Sequence, residues 1–216
     1  MFANKTEAYI NNSGSLIWKG SVASKNNSLT SKDYTDSVIL VMRNNKISGT
    51  VRYDGRLYKI EPTANGSHLV SEINEAQMKP DHPPGAMAEL DAQSAPTTIP
   101  ENTQTTQVQA NPVIRVLVLY TSDVAQNMPT LVDLAVEETN QGYVNSGVNA
   151  TVELAHLQQV NYTSTDISTD LNRLKSTSDG YIDEAHQLRD QYAADVVMLM
   201  VPDKGSACGK AAAHLQ

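Results

Sequence analysis

An eight-residue run in the second half of the chain does most to limit the possible folds. Val113–Tyr120 is apolar except for Arg115, and a strand of this composition is typically covered on both faces, as in parallel sheets. A similar run follows at Asp195–Val201. The two runs predict a buried sheet that carries helices, since a strand buried on both sides needs a layer on each.

Helical and strand patterns alternate between these two runs. Thr151–Val160 is predicted as a strand. Pro129–Ser146 is predicted as a helix, with Pro129 in its first turn and Gly147 as its C-terminal cap. Its apolar residues are predicted to share one side: Leu131, Val132, Ala135, Val136 and Tyr143. Strands that alternate with helices imply parallel pairing with right-handed crossovers.

Two further helices are predicted before the last strand. Asp166 or Ser168 can cap the first, whose apolar residues are spaced at i, i+4 and i+7: Ile167, Leu171 and Leu174. Asp179-Gly180 interrupts the pattern. It resumes over Tyr181–Tyr192, with an apolar face predicted at Tyr181, Ala185, Leu188 and Tyr192.

The first part of the chain has the pattern of a β meander. Turn signals such as Asp54-Gly55 and Asn65-Gly66 recur at short intervals, and both residues of such pairs tolerate positive φ. They separate strand-like segments, which are Ser15–Val22, Ser37–Met42, Lys46–Tyr53, Arg56–Glu61 and Ser67–Ile73. The pattern predicts a small antiparallel sheet or an open barrel.

Residues 92–111 differ in composition from both neighbours. They are rich in Thr, Gln and Pro and nearly lack large apolar side chains, so they cannot bury enough surface to order themselves. We predict a β-rich unit over residues 1–91, a flexible linker over 92–111 and an α/β unit over 112–216. Limited proteolysis is expected to cut first in the linker.

Charge excludes some classes of function. The net charge is −8, from 16 Lys and Arg against 24 Asp and Glu. The excess of acid lies after residue 95, because the first 95 residues are balanced. No basic stripe is present, which argues against nucleic-acid binding, and an acidic surface is repelled by anionic membranes.

The residues that could bind a metal or catalyse a reaction are scattered. The five histidines are His68, His82, His156, His186 and His214, and none lies four residues from another. We expect structural roles for His156 and His186. The sequence has no His-Glu-x-x-His, no Gly-x-Ser-x-Gly and no Gly-rich phosphate loop. The residues alone therefore predict a scaffold without a catalytic constellation.

Several segments resemble the bacterial reprolysin-like zinc metallopeptidases, the metzincin group that includes the peptidyl-Asp metallopeptidases. In the second half the resembling segments are Asp133–Asn140, Asn145–Val148 and Ser168–Asp195, the last running into Val196–Val201. In the first half, segments similar to the prodomain of that family are Ile47–Arg52, Arg56–Ile60 and Asp81–Pro84. Together they cover nearly the whole chain.

The resemblance implies an α+β chain, in which a small antiparallel β prodomain precedes a truncated three-layer α/β metzincin-like catalytic domain. The parent protein would be a secreted or periplasmic zinc endopeptidase acting on proteins or peptides. Family members bind zinc through His-Glu-x-x-His-x-x-Gly-x-x-His, and none of those positions exists here. We therefore expect no metal cofactor and no activity in this chain alone, and possible self-association through the incomplete domain.

The resemblance also points to candidate site residues. Asp81 or His82, held extended by Pro83-Pro84, could reach the zinc of the parent as a latency switch. The alternative, which the residues alone favour, is an ordinary turn that leaves the β unit. The edge strand of the substrate cleft would fall at Gly209, Lys210, Ala211 and Ala212. Cys208, the single cysteine, is either a small buried apolar residue or a disulfide partner.

A different class of function fits the same residues. A non-enzymatic secreted binding protein would use the β unit for interaction, beside an acidic α/β unit. The coding region after Gln216 discriminates between the two hypotheses. A zinc motif there supports the protease, and a stop codon supports the binding protein.

Overall fold

The computed structural model describes residues 3–22, 37–80, 111–203, 205 and 207–212. They form an α+β fold with a six-stranded antiparallel sheet and a three-stranded parallel sheet. The predicted α+β class is therefore confirmed, as is the antiparallel pairing of the first unit.

The first sheet is a meander in which each strand pairs with the next. Its strands are β1 (Ala3–Ile10), β2 (Leu16–Val22), β3 (Ser37–Arg43), β4 (Lys46–Tyr53), β5 (Arg56–Pro62) and β6 (His68–Ile73). The Asn44-Asn45 and Asp54-Gly55 turns have positive φ at both positions, as a tight hairpin needs. The sequence pattern missed β1, whose side chains are exposed except for the half-buried Tyr9, so it carries no apolar alternation.

Two glycines let large side chains cover one face of this sheet. A Cβ at Gly20 would overlap the ring of Trp18, and one at Gly49 would lie 2.6 Å from Leu40 Cδ2. Only hydrogen leaves room at these positions. The side chains of Trp18 and Leu40 therefore fold along their own sheet instead of projecting into solvent.

The second sheet has the order β8-β7-β9 with both pairs parallel. Its strands are β7 (Val113–Tyr120), β8 (Thr151–Gln159) and β9 (Val196–Met200). The helices are α1 (Met128–Ser146), α2 (Ile167–Lys175) and α3 (Glu184–Gln191), and short 3-10 turns occur at Glu75–Gln77 and Ser122–Val124. The predicted alternation and parallel pairing are confirmed.

The third helix begins later than predicted. Gly180 has φ +83°, and the Asp183 carboxylate accepts hydrogen bonds from the N–H groups of Asp179 and Gly180. These contacts hold a turn until Glu184. Ile182 is fully buried whereas Tyr181 is exposed, so the prediction that Tyr181 lies on the apolar helix face is wrong.

Helices cover the parallel sheet on both faces. Alternate residues of β7 point to opposite sides: Val118 packs with Met128 and Val132 of α1, and Leu117 and Leu119 pack in a cluster that includes Ala185 of α3. The strand is therefore buried on both faces, as its composition predicts.

Helix α1 is also buried on its other side. Leu134 packs with Ile17, Ile39 and Val41 of the antiparallel sheet. The predicted apolar side is wrong at Ala135, which is exposed. The helix lies between two sheets, so the polar positions that a periodicity analysis assigns to solvent are covered.

Candidate functional site

A row of polar side chains on α1 contacts the antiparallel sheet. Ser15 donates a 2.6 Å hydrogen bond to the Asp133 carboxylate, and both residues are almost fully buried. One turn earlier, the hydroxyls of Thr130 and Ser48 are 2.7 Å apart. Buried polar groups are stable only when paired, so these contacts require both units.

Glu137 extends this row by one turn. Its carboxylate is 2.8 Å from the Lys19 ammonium and accepts a 2.6 Å hydrogen bond from the Tyr9 hydroxyl. Burial, and then the hydrogen bond to Glu137, raise the pKa of Tyr9 above its ordinary value. The ion pair is largely shielded, with side-chain exposures of 14% for Lys19 and 7% for Glu137.

A second contact between the units follows the last strand of the antiparallel sheet. The Lys79 ammonium bonds both carboxylate oxygens of Asp203, at 2.5 and 2.6 Å, and the carbonyl of Gly205 at 2.8 Å. The hydrogen bond from Lys79 holds the pKa of Asp203 below its ordinary value. The Cys208 N–H donates to the Pro80 carbonyl at 2.9 Å, so the chain leaving the first unit lies beside the segment that follows β9.

The predicted cleft-edge residues Gly209–Ala212 lie in that segment, outside both sheets. Lys210 donates a 3.2 Å hydrogen bond to Ser168 at the start of α2. Cys208 is exposed, and its thiol donates to the Lys79 carbonyl at 3.4 Å. The prediction of a buried cysteine is therefore wrong, while the disulfide and edge-strand assignments remain predictions.

Strand β9 forms one edge of the parallel sheet and is only partly covered. It pairs with β7, while Val196 is 44% and Met198 46% exposed. These two side chains point to the α1 side of the sheet, because they alternate with Val197 and Leu199, which pack on the other side. The predicted burial of β9 on both faces is wrong for these two residues, and they form an apolar strip beside α1.

The described residues do not fit a zinc site. Among them, no group of three or more His, Cys, Asp or Glu side chains is arranged to hold a metal ion. The three described histidines have separate partners. His68 accepts from the Ile47 N–H, His156 stacks on Tyr192 with ring centroids 3.9 Å apart, and His186 bonds the Ser176 carbonyl.

Two of the predicted candidates, Asp81 and His82, fall outside the described residues, as do His214 and nearly all of the predicted linker. Lys79, Asp203 and the buried polar face of α1 were not predicted from the sequence. Lys79 and Asp203 are ordinary surface types separated by more than a hundred residues. The one sequence signal on α1 is the i, i+4 spacing of Asp133 and Glu137 beside the apolar Leu134.

Comparison with known proteins relates the chain to bacterial peptidases. A peptidyl-Asp metalloendopeptidase of Xanthomonas campestris pv. campestris is 36% identical over 213 aligned residues. Two proteins of the same name from Stenotrophomonas maltophilia are 40% and 38% identical. Each alignment covers 92% of this chain and 49% of the relative, so the chain spans about half the length of the curated relatives it matches.

No protein-family model matches the chain. Within the described residues, none of the helices has both the length and the apolar character needed to cross a membrane.

Proposed function

We propose that the chain belongs with the peptidyl-Asp metalloendopeptidases and forms the front part of a secreted zinc metalloendopeptidase precursor. In this proposal the antiparallel sheet is the prodomain. The parallel sheet with its helices is the first part of a metzincin-like catalytic domain, which hydrolyses peptide bonds once completed. The sequence relationship supports this assignment, because it runs through both units.

The observation that carries the proposal is the apolar strip on β9. Helix α1 packs against Val116, Val118 and Leu154 of the other two strands, and leaves Val196 and Met198 open on the same side. Apolar surface at a free sheet edge favours pairing or covering. We propose that the zinc-binding helix of the precursor packs against this strip, next to α1.

In this proposal the chain positions the zinc-binding part of the precursor, and the metal ligands belong to that part. When bound, zinc polarises the substrate carbonyl and activates water. Since the described residues lack a fitting set of ligands, no catalytic step is assigned to them. Their role in the proposal is to fix the sheet and α1, against which the zinc-binding part is held.

The contact of Lys79 and Pro80 with the segment after β9 supports a role for the first unit in latency. The Pro80 carbonyl accepts a hydrogen bond from the backbone N–H of Cys208, which precedes the candidate cleft edge Gly209–Ala212. Asp81 and His82 follow Pro80 directly in sequence. We propose that Asp81 or His82 acts as the latency switch of the precursor. Alanine variants of each, made in a precursor with an intact zinc motif, should show activity before prodomain removal if that residue maintains latency.

The central test compares this chain with a longer polypeptide that carries the zinc motif. Peptides containing Asp are the first substrates to try, since the relatives are named for peptidyl-Asp bonds. We expect the longer polypeptide to retain zinc after dialysis and to hydrolyse the peptides, and this chain to do neither. Stoichiometric zinc and metal-dependent proteolysis by this chain alone would overturn the proposal.

Self-association follows from the same strip. If Val196 and Met198 are covered only in the longer precursor, this chain should form oligomers in sedimentation experiments. A variant with Val196→Lys and Met198→Lys should then be monomeric. A monomeric parental chain would remove this support and favour a complete domain with a binding function.

A further inference from the structure

The polar face of α1 has the properties of a docking surface. Residue 130, the pair 133–134 and the pair 137–138 follow one another at successive turns of the helix, so they share one face, and each residue contacts the antiparallel sheet. We propose that the antiparallel sheet β1–β6, with the residues that follow it up to Pro80, is a docking module for this face, and that the module stays bound to the second unit after the polypeptide between them is cut. A role of this docking in latency rests on the proposed function, but the docking itself does not.

The module presents this surface only when its sheet is folded. The side chains that contact α1 come from different parts of the meander: Tyr9 of β1, Ser15 before β2, Ile39 and Val41 of β3, Ser48 and Thr50 of β4. A further bond joins the Asn127 side chain to the carbonyl of Pro62, at the end of β5. No short peptide carries all these groups, so the partner that fits α1 is the intact sheet.

Burial makes separation of the two units costly. Ser15 is 0% and Asp133 2% exposed, so a partial opening leaves a buried carboxylate or hydroxyl without its partner. Leu134 and Ile17 are buried beside them. The polar and apolar contacts must therefore break together, which favours slow dissociation.

The Lys19–Glu137 pair is protected from dissolved salt. Surface ion pairs are weakened by screening, whereas largely buried pairs are screened much less. Since both side chains are mostly covered, we expect the docked state to persist at high ionic strength.

A second attachment keeps the end of the module on its partner. The Lys79 ammonium donates hydrogen bonds to the Asp203 carboxylate and the Gly205 carbonyl, and the Pro80 carbonyl accepts one from the Cys208 N–H. A cut between residues 81 and 110 leaves this attachment and the α1 contacts intact. Cutting alone would then not free the second unit, and release would need a separate step that breaks the α1 interface.

The experiment introduces a site for a sequence-specific protease between residues 92 and 110 of the full chain. The chain is folded, cut to completion, and run on a size-exclusion column in about 1 M NaCl, where the Debye length is about 3 Å. We expect the two fragments to elute together. Separation of the fragments of the parental chain would overturn the proposal.

Charge exchange identifies the interface. Lys19→Glu and Glu137→Lys, made singly, place like charges together and should raise the dissociation constant of the cut pair by about tenfold or more, while the double variant should recover most of the loss. Val144→Lys is the matched control, because Val144 lies on the same helix and is 73% exposed; it should change nothing. Single exchanges without effect, or a double variant no better than the singles, would contradict docking through this face.

Milder variants serve if a charge exchange prevents folding, as judged by circular dichroism before the cut. Ser48→Ala and Thr130→Val remove a single hydroxyl pair and should weaken association by a smaller factor, with Thr139→Val as the control on the exposed side. None of these measurements reads peptidase activity. Failure of the proposed function would therefore leave the docking result standing, and separated fragments would leave the peptidase assignment standing.

Discussion

The two faces of α1 are buried by opposite kinds of contact. On one face, Met128 and Val132 pack against apolar residues of the parallel sheet. The other carries Thr130, Asp133 and Glu137 into the antiparallel sheet, where hydrogen bonds and an ion pair accompany Leu134. An apolar face can pack against any surface of suitable shape, whereas a buried polar face is stable only against its own partners. The first face therefore contributes mainly to the stability of the fold, and the second determines which partner α1 accepts.

The largest effect is expected on the apolar face. Met128 is 1% exposed, and Met128→Ala should lower the free energy of unfolding by about 2–5 kcal/mol because it leaves a cavity. Denaturant unfolding followed by circular dichroism measures the loss. The fluorescence of Trp18, the single tryptophan, reports on the other sheet and should shift with it, since α1 is shared. A Trp18 transition unmoved by the substitution would contradict a helix shared by the two sheets.

A smaller effect is expected at the end of α1. Gly147 has φ +69°, so Gly147→Ala should destabilise by about 1 kcal/mol, since a Cβ disfavours this conformation. Gly142→Ala is the control within the same helix; no atom would crowd its Cβ, and it should stabilise by about 0.5–1 kcal/mol. Changes of opposite sign in the free energy of unfolding would show that the backbone conformation of the helix determines the effect of each substitution, and that neither interface does. Equal signs in chemical denaturation would contradict it.

The smallest effect concerns an exposed carboxylate, in contrast to the buried Asp133. Asp166 caps α2 by accepting from the Ser168 and Thr169 N–H groups at 3.0 Å. Its pKa is lowered, mainly by the hydrogen bond from the Thr169 hydroxyl. A depressed folded-state pKa gives stability that is complete above the unfolded value of about 3.9 and is lost as pH falls through the folded value. The protection factors of the Ser168 and Thr169 amides, which correct exchange for its intrinsic pH dependence, should therefore fall in acid, and Asp166→Asn should remove that fall.

Local patterns predicted most strands and helices of both units. The turn pairs at Asp54-Gly55 and Asn65-Gly66 act through their own backbone conformations, and the apolar run of β7 acts through its own burial. These signals lie within a few residues of the structure they specify. For the same reason they gave the positions of every strand except β1, and the order of the helices, correctly.

The contacts between the units could not be predicted in this way. Ser15 and Asp133 are 118 residues apart, and each is a common surface residue until the other buries it. Strand β1 was missed because its side chains are mostly exposed, and the open strip on β9 was missed because its residues look fully buried. The candidate site residues were predicted from the resemblance of sequence segments, while the contacts between the units required the three-dimensional structure.

A double-mutant cycle on Ser15 and Asp133 tests the central claim most directly. The free energies of unfolding of Ser15→Ala, Asp133→Ala and the double variant are compared with that of the parental chain, with Trp18 fluorescence and circular dichroism as independent probes. A buried hydrogen bond to a charged group predicts a coupling energy of about 1.5–3 kcal/mol. Effects that add to within about 0.5 kcal/mol would contradict the claim that the polar face of α1 is held by the antiparallel sheet.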